Sequence, residues 1–108
     1  MQQPCVLLLR GGSKATLENQ ERACRTEAEE KSIEVRAVFR EREKLVLQRR
    51  KVLRWLRAYC QSNDVRLVIA FKEASISRNA SELFLIKLLL GKAGISLVFA
   101  KETKHPNF

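Results

Sequence analysis

The sequence predicts an α/β domain in which helices cover both faces of a mostly parallel sheet, a three-layer α/β/α sandwich. Two observations predict this fold class. Short apolar runs alternate with longer segments of helical periodicity, and turn residues separate the two kinds of segment. The resulting order is βαβαβαβ, and strands joined through helices of this length pair in parallel with right-handed crossovers.

The first strand and the first helix lie in the N-terminal third of the chain. Residues 6–9 form a continuous apolar run that suits a buried parallel strand, and Gly11 and Gly12 close it with a turn. Thr16 is the predicted N-cap of a helix that extends to about Lys31. The apolar side chains of this helix share one side: Leu17, Ala23, Cys24 and Ala28.

The remaining elements continue the alternation. The predicted strands are residues 33–39, 65–71 and 95–100, and the predicted helices are residues 47–61 and about 79–90, with a polar turn over residues 72–78. The last helix is apolar most of the way around its circumference. We therefore expect it to pack in the core and to leave room for an oligomer contact.

Length and composition predict a single domain and argue against a membrane or secreted protein. The 108 residues suit a single core, with residues 1–101 as the domain and residues 102–108 as an unassigned tail. The longest apolar run, residues 83–90, is interrupted by Lys87 and is too short to span a membrane, so no membrane partner is expected. The N-terminus lacks the pattern of a secretory signal, which makes a cytoplasmic location the expectation.

Neither a disulfide nor a metal site is expected. Cys5, Cys24 and Cys60 are odd in number and far apart, and His105 is the only histidine. Metal sites usually need several Cys or His ligands at short, regular spacing. We therefore expect no metal.

Basic residues are in excess and concentrated in one segment. The 21 Lys and Arg against 12 Asp and Glu give a net charge of +9, which indicates a polyanionic partner such as duplex DNA. The candidate DNA contacts are Arg40, Arg42, Lys44, Arg49, Lys51 and Arg54, with Arg50 and Arg57 in the same run. Such a cluster is typical of a surface that contacts phosphates, although a basic coat that only promotes solubility is the plainer alternative.

Three loops should hold the functional residues, because ligands of parallel α/β sheets gather at the carboxyl ends of the strands. The loops contain Arg10-Gly11-Gly12-Ser13 with Leu17-Glu18-Asn19-Gln20 after it, Phe39-Arg40-Glu41, and Ala74-Ser75-Ile76-Ser77-Arg78.

Over residues 4–101, the chain resembles the catalytic domain of serine recombinases of the resolvase/invertase type. Members of that family have Arg-Val-Ser after the first strand, and Arg10 matches the arginine. Gly12 stands at the position of the family nucleophile, while Ser13 comes one residue later. The resemblance therefore makes Ser13 the candidate nucleophile.

The other two loops match the family in part. In the second loop Arg50 falls on the family arginine, although a shift of one residue would put Arg49 there, and Lys44-Leu45 replaces a Ser-Gly pair. In the third loop Arg78 matches the last residue of Asp-Arg-Leu-Ser-Arg, whereas Ala74-Ser75 replaces its Asp and first Arg. Glu73 is a candidate substitute for the missing acid.

The resemblance implies a fold, a reaction and an assembly. The fold is a four- to five-stranded sheet in the flavodoxin-like order 2-1-3-4, and the assembly is a homodimer or homotetramer. In the family, a serine hydroxyl attacks a DNA phosphodiester, forms a phosphoserine link and releases a 3′-hydroxyl. The link later allows rejoining without a cofactor, so the resemblance implies that none is needed. The candidate catalytic residues are Ser13, Arg10, Arg50 and Arg78, because guanidinium groups stabilise the charge of phosphoryl transfer.

Three functional hypotheses stay open. The first is a recombinase domain that cuts and rejoins DNA through Ser13. The second is an inactive relative that binds DNA or another recombinase, as the replacements at Gly12 and Ala74-Ser75 suggest, with Ser13 serving as a helix cap. The third is a small α/β protein that binds a phosphate-bearing metabolite at the Gly11-Gly12 turn.

Overall fold

Strands and helices alternate along the chain, as predicted. The computed structural model describes residues 3–42 and 50–101. The elements are β1 (Pro4–Gly11), α1 (Lys14–Glu30), β2 (Glu34–Arg42), α2 (Lys51–Asn63), β3 (Leu67–Ala70), α3 (Glu73–Ile76), α4 (Ala80–Lys92) and β4 (Ser96–Phe99).

The four described strands form one parallel sheet in the order β2-β1-β3-β4. This confirms the predicted fold class and the predicted strand order. After β1 the chain moves outward to β2 and then returns past β1 to β3, so the direction of strand succession reverses at β1. The carboxyl end of β1 is therefore where a parallel α/β sheet places its ligands.

Alternate residues of β1 build two separate cores, one on each face of the sheet. On one face, Cys5, Leu7 and Leu9 pack with Cys24 and Ala28 of α1. On the other face, the strand residues meet side chains from three helices: Leu56 and Cys60 of α2, Ile76 of α3, and Ile86 and Leu90 of α4. Because β1 is buried on both sides, its run of apolar residues needs no polar alternation.

Three local predictions were wrong. Ser13, not Thr16, is the N-cap of α1, because the Ser13 side chain accepts the Thr16 N–H. The predicted polar turn over residues 72–78 contains the one-turn helix α3. The third strand is shorter at both ends than predicted, since it covers Leu67–Ala70.

Other predictions fall on residues that the structure does not describe. The predicted start of the second helix is one of them: α2 begins at Lys51, and residues 43–49 lie outside the described part. Lys44, Arg49 and the predicted tail over residues 102–108 lie outside it as well.

Residues 3–42 and 50–101 lack two features, a membrane-spanning helix and a cluster of potential metal ligands. No helix in this part of the chain combines the length and apolar character needed to cross a membrane. Nor do three or more His, Cys, Asp or Glu side chains come together there as potential metal ligands.

Candidate functional site

Parallel pairing of β1 with β2 places opposite charges side by side at the carboxyl edge of the sheet. Arg10 pairs in register with Glu41, and Gly11 pairs with Arg42. Arg10 is 8% exposed and Glu41 is 5% exposed, so both ionisable residues are buried. Buried charges of this kind need close partners.

Arg50 completes this charge group from the start of α2. Its Nε donates to Glu41 Oε1 at 3.0 Å, and its Nη2 also contacts that oxygen. Arg10 Nε lies 3.7 Å from the same Glu41 oxygen. The Nη1 groups of Arg10 and Arg50 each donate to the carbonyl oxygen of Ile76, at 3.0 Å in both cases. The structure thus brings together two of the predicted catalytic arginines, because both donate to the carbonyl of Ile76, the last residue of α3.

A second acid reaches Arg50 from α4. Glu82, in the first turn of that helix, accepts from Arg50 Nη1 through Oε1 at 2.8 Å. The Arg50 side chain is fully buried, whereas that of Glu82 is 19% exposed. We call Arg10, Glu41, Arg50 and Glu82 the arginine cluster; its two positive and two negative charges balance.

Ser13 lies outside the arginine cluster and caps α1. Its Oγ accepts the Thr16 N–H at 3.1 Å and lies 2.9 Å from Thr16 Oγ1. A Cβ atom on Gly11 would come within 2.8 Å of Thr16 Cγ2, so the turn before the helix needs a glycine there. Ser13 itself is exposed, which is what an attacking hydroxyl requires.

A cavity of about 310 Å³ adjoins Ser13 between the end of β2 and the start of α1. Its lining residues are Gly11, Gly12, Ser13, Lys14, Leu17, Arg40, Glu41 and Arg42. The candidate nucleophile therefore shares a cavity with Glu41 of the arginine cluster. Glu41 Oε2 is buried and accepts no hydrogen bond from the residues that the structure describes.

The third loop has a different arrangement from the first two. Arg78 is exposed in the segment between α3 and α4. Glu73, the candidate substitute acid, pairs with Lys87 at 2.6 Å and so is directed toward α4. Ser75 bonds to the backbone of Lys72, whose carbonyl accepts its hydroxyl at 2.6 Å, which stabilises the start of α3.

The candidate DNA contacts that the structure describes are exposed: Arg40, Arg42, Lys51 and Arg54. Arg40 pairs with Glu21 of α1 at 2.5 Å. Hydrogen bonds from Arg25 and Arg40 lower the pKa of Glu21. Arg50, Arg54 and Arg57 line a groove of about 330 Å³, opposite Ile86, Leu89 and Leu90 of α4.

Sequence reasoning missed two residues of this edge. Gln20 of α1 accepts the Arg10 N–H at 3.1 Å and donates to the Arg10 carbonyl at 2.9 Å, which holds the end of β1 in place. Its position within the Leu17-Glu18-Asn19-Gln20 motif was the available signal. Glu82 lies 32 positions from Arg50, and no local pattern reports such a pairing.

Comparisons with known proteins identify the family and the fold. Residues 10–107 match the sequence model of the family described as "Resolvase, N terminal domain". The catalytic domain of ISC1926 TnpA, an IS607-like serine recombinase, superposes with a TM-score of 0.78 at 21% identity, covering 94% of this chain and 72% of that one. No curated protein matches the chain.

Two further solved structures have the same fold. A resolvase family site-specific recombinase from Streptococcus pneumoniae gives a TM-score of 0.76 at 18% identity, covering 92% of this chain and 72% of that one. The catalytic domain of TP901-1 integrase gives 0.73 at 17% identity, covering 91% and 77%. Since the family match spans nearly the whole chain and these structures share its fold, the chain belongs to the resolvase N-terminal domain family.

Proposed function

We propose that this domain cuts and rejoins duplex DNA through a phosphoserine link at Ser13. The observation that carries the proposal is the convergence of Arg10 and Arg50 at the carboxyl end of β1. Ser13, which is exposed, follows Arg10 by three residues. Buried guanidinium groups with a fixed geometry are suited to a transferring phosphoryl group, because their N–H forks match its oxygens.

In the proposed reaction, Ser13 Oγ attacks a phosphorus atom of the DNA backbone. The Oγ–P bond forms as the P–O3′ bond breaks, the serine hydroxyl loses its proton, and the leaving 3′ oxygen gains one. The phosphoserine ester keeps the energy of the broken bond, so the reverse attack by a 3′-hydroxyl rejoins the strand without a cofactor. Arg10 and Arg50 stabilise the added charge of the transition state, and Arg78 would join them from the third loop.

Ser13 must leave its capping position to attack. Loss of an N-cap hydrogen bond costs about 1 kcal/mol. Contacts of several arginines with DNA phosphates exceed that cost, since each charge-assisted hydrogen bond contributes about 1.5–3 kcal/mol. The capped state of Ser13 is therefore compatible with its use as a nucleophile once DNA is bound.

The exposed residues Arg42, Lys51 and Arg54 supply contacts with the DNA backbone in this proposal. Such contacts position a protein on DNA without reading its sequence. A DNA substrate also makes the cytoplasm the expected location.

The proposed assembly is a homodimer or homotetramer. The outward side of α4 carries large apolar side chains: Phe84, Leu85, Leu88 and Leu89, which are 43–64% exposed. A contiguous apolar surface of this kind favours contact with another protein surface. The resemblance to serine recombinases makes another copy of the chain the expected partner.

An inactive, DNA-binding relative is the second candidate. Two observations favour it: the Ser13 hydroxyl is engaged in the cap of α1, and Arg10 and Arg50 are already paired with Glu41. Ala74 and Ser75 also stand where the family has Asp and Arg. The family match gives no support to the third hypothesis, a metabolite-binding protein.

A covalent adduct distinguishes the two candidates. The protein is incubated with labelled nicked duplexes of randomised sequence, denatured, and examined for protein-linked DNA. We expect an adduct that disappears in Ser13→Ala and persists in Ser81→Ala, an exposed serine of α4. An adduct that persists in Ser13→Ala would contradict the role of Ser13. DNA binding without any adduct would favour the inactive candidate.

A further inference from the structure

We propose that the Glu82 carboxylate occupies the place of a DNA phosphate on Arg50 in the free protein and gives it up when DNA binds. Glu82 is in this view a positioning residue that controls access to Arg50. The inference rests on the proposed function, because it assigns Arg50 to the binding of a phosphate.

The charge balance of the arginine cluster is the first step of the argument. Arg50 contacts Glu41 and Glu82, and Arg10 also lies near Glu41. Two guanidinium groups therefore face two carboxylates, which leaves no net positive charge for a dianionic or monoanionic phosphate. A phosphate can therefore bind to these two arginines only in place of one of the acids.

The surroundings of the two acids decide which one withdraws. The Glu41 side chain is fully buried in β2 and lies beside both arginines, so its removal would leave two buried cations without their shared partner. Glu82 is 19% exposed and makes one described ion pair, with Arg50 Nη1. Glu82 is therefore the acid that water and a competing anion can reach.

The start of α4 does not depend on the Glu82 carboxylate. The Asn79 side chain accepts the Glu82 N–H at 3.0 Å, and Leu83 N–H donates to the Asn79 carbonyl at 2.9 Å. These capping bonds fix the first turn through backbone groups. The Glu82 side chain is thus free to change its rotamer while the helix stays formed.

A route for the incoming phosphate lies between α2 and α4. Arg50 is the buried arginine of the groove of about 330 Å³ between these helices. Arg54 and Arg57 line the same groove and follow Arg50 at helical spacing. A phosphate that enters the groove meets the outer arginines first. It would then replace Glu82 on Nη1 of Arg50, while Glu41 keeps Nε and Nη2.

The test compares Glu82→Gln, which removes the charge and keeps the shape, with a matched control. Glu73→Gln makes the same charge change at an exposed ion pair with Lys87. Inorganic phosphate is the probe, and the readout is the NMR signal of the Arg50 side-chain N–H groups during titration. Glu82→Asp, which retains the charge, is the rescue variant.

We expect Glu82→Gln to bind phosphate at Arg50 about tenfold more tightly than the wild type, because no intramolecular anion competes for a charge-assisted hydrogen bond. Glu73→Gln should change the affinity by less than about twofold, since exposed pairs are weak and screened. Glu82→Asp should stay near the wild type. An affinity of Glu82→Gln within twofold of the wild type, or phosphate-induced shifts that bypass Arg50, would overturn the proposal.

This outcome is separable from that of the proposed function. Tighter phosphate binding in Glu82→Gln without any Ser13 adduct would keep the inference and contradict strand cleavage. An adduct at Ser13, together with an unchanged phosphate affinity in Glu82→Gln, would support strand cleavage and contradict the inference. Circular dichroism of each variant checks that it is folded, and Glu82→Asp gives a folded comparison if Glu82→Gln is unstable.

Discussion

Arg10 and Arg50 are buried cations, and their burial depends on the acids and carbonyl around them. Glu41 Oε1 serves both arginines, and the Ile76 carbonyl accepts from both. Because the two arginines share both acceptors, the ends of β1 and β2 are linked to α3. Loss of Glu41 would therefore affect both arginines at once.

Replacement of Glu41 by Gln should destabilise the protein by about 3–5 kcal/mol, because it leaves two buried guanidinium groups without a shared counter-ion. The free energy of unfolding from urea denaturation measures this. Glu34→Gln on the same strand removes an exposed pair with Arg36 at 2.8 Å and should cost less than about 1 kcal/mol. Equal losses in the two variants would contradict the importance of the arginine cluster.

Ser13 has a measurable structural role that is independent of any reaction. Ser13→Ala should lower the free energy of unfolding by about 1 kcal/mol through loss of the cap, and Ser13→Gly by only a few tenths. Thermal and urea unfolding test this. No loss in Ser13→Ala would mean that the cap of α1 contributes nothing in solution.

At the residue scale, the sequence placed Arg10 and Arg50 at the same edge of the sheet but did not predict all of their contacts. The resemblance selected Arg10 and Arg50, which lie together. It did not predict that Glu82 would pair with Arg50, because that pair joins residues 32 positions apart. The N-cap of α1 was assigned to Thr16 since Ser13 and Thr16 are both good capping residues three positions apart.

At the element scale, periodicity predicted the long helices and missed the shortest. α4 was predicted as an apolar helix with surface left for a partner, and its exposed leucines fit that expectation. α3 covers only four residues, Glu73–Ile76, and one turn is too short to show a period. The Ile76 carbonyl, which accepts hydrogen bonds from both arginines, therefore lies on an element that no sequence pattern indicated.

The apolar side of α4 gives an element-scale prediction. If it contacts a second copy, Leu88→Glu should weaken self-association, because a carboxylate would be buried in the contact. Sedimentation velocity over a range of concentrations measures the change. Ser81→Glu, on the same helix, is the matched control. A chain that is monomeric throughout, with or without the substitution, would contradict the proposed oligomer.

The packing of α1 on β1 gives a prediction about pH. Burial raises the pKa of Cys5 to about 11 and that of Cys24 to about 12, from an ordinary value of 9.0. The unfolded thiols ionise first, so the unfolded state binds fewer protons and stability falls as the pH rises from about 9 toward 12. Below pH 9 this contribution is fully present.

Urea denaturation at pH 8 and at pH 10 checks the predicted slope. Cys24→Ala should reduce it, because one of the thiols whose pKa is raised by burial is removed. An unchanged slope in this variant would mean that other groups cause the alkaline loss of stability.

At the scale of the whole molecule, the fold followed from a few rules. The alternation of apolar runs and helical segments predicted a parallel sheet, and the family resemblance supplied the strand order that the structure confirms. Strand ends were less predictable, because pairing with neighbours sets where a ladder stops, as in β3. The net charge of +9 is also a property of the whole chain and predicts a partner class without locating it.

NMR mapping of the contact with duplex DNA would show whether the carboxyl edge of the sheet binds DNA. The amide spectrum of the wild-type protein is followed as a short duplex is added at low and at moderate salt. We predict salt-sensitive shifts at the carboxyl edge of the sheet, centred on Gly12, Ser13 and Arg50 and extending along α2 through Arg54. Shifts confined to the opposite edge, near Ser32 and Gly94, or no shifts at low salt, would contradict the assignment of this edge to DNA.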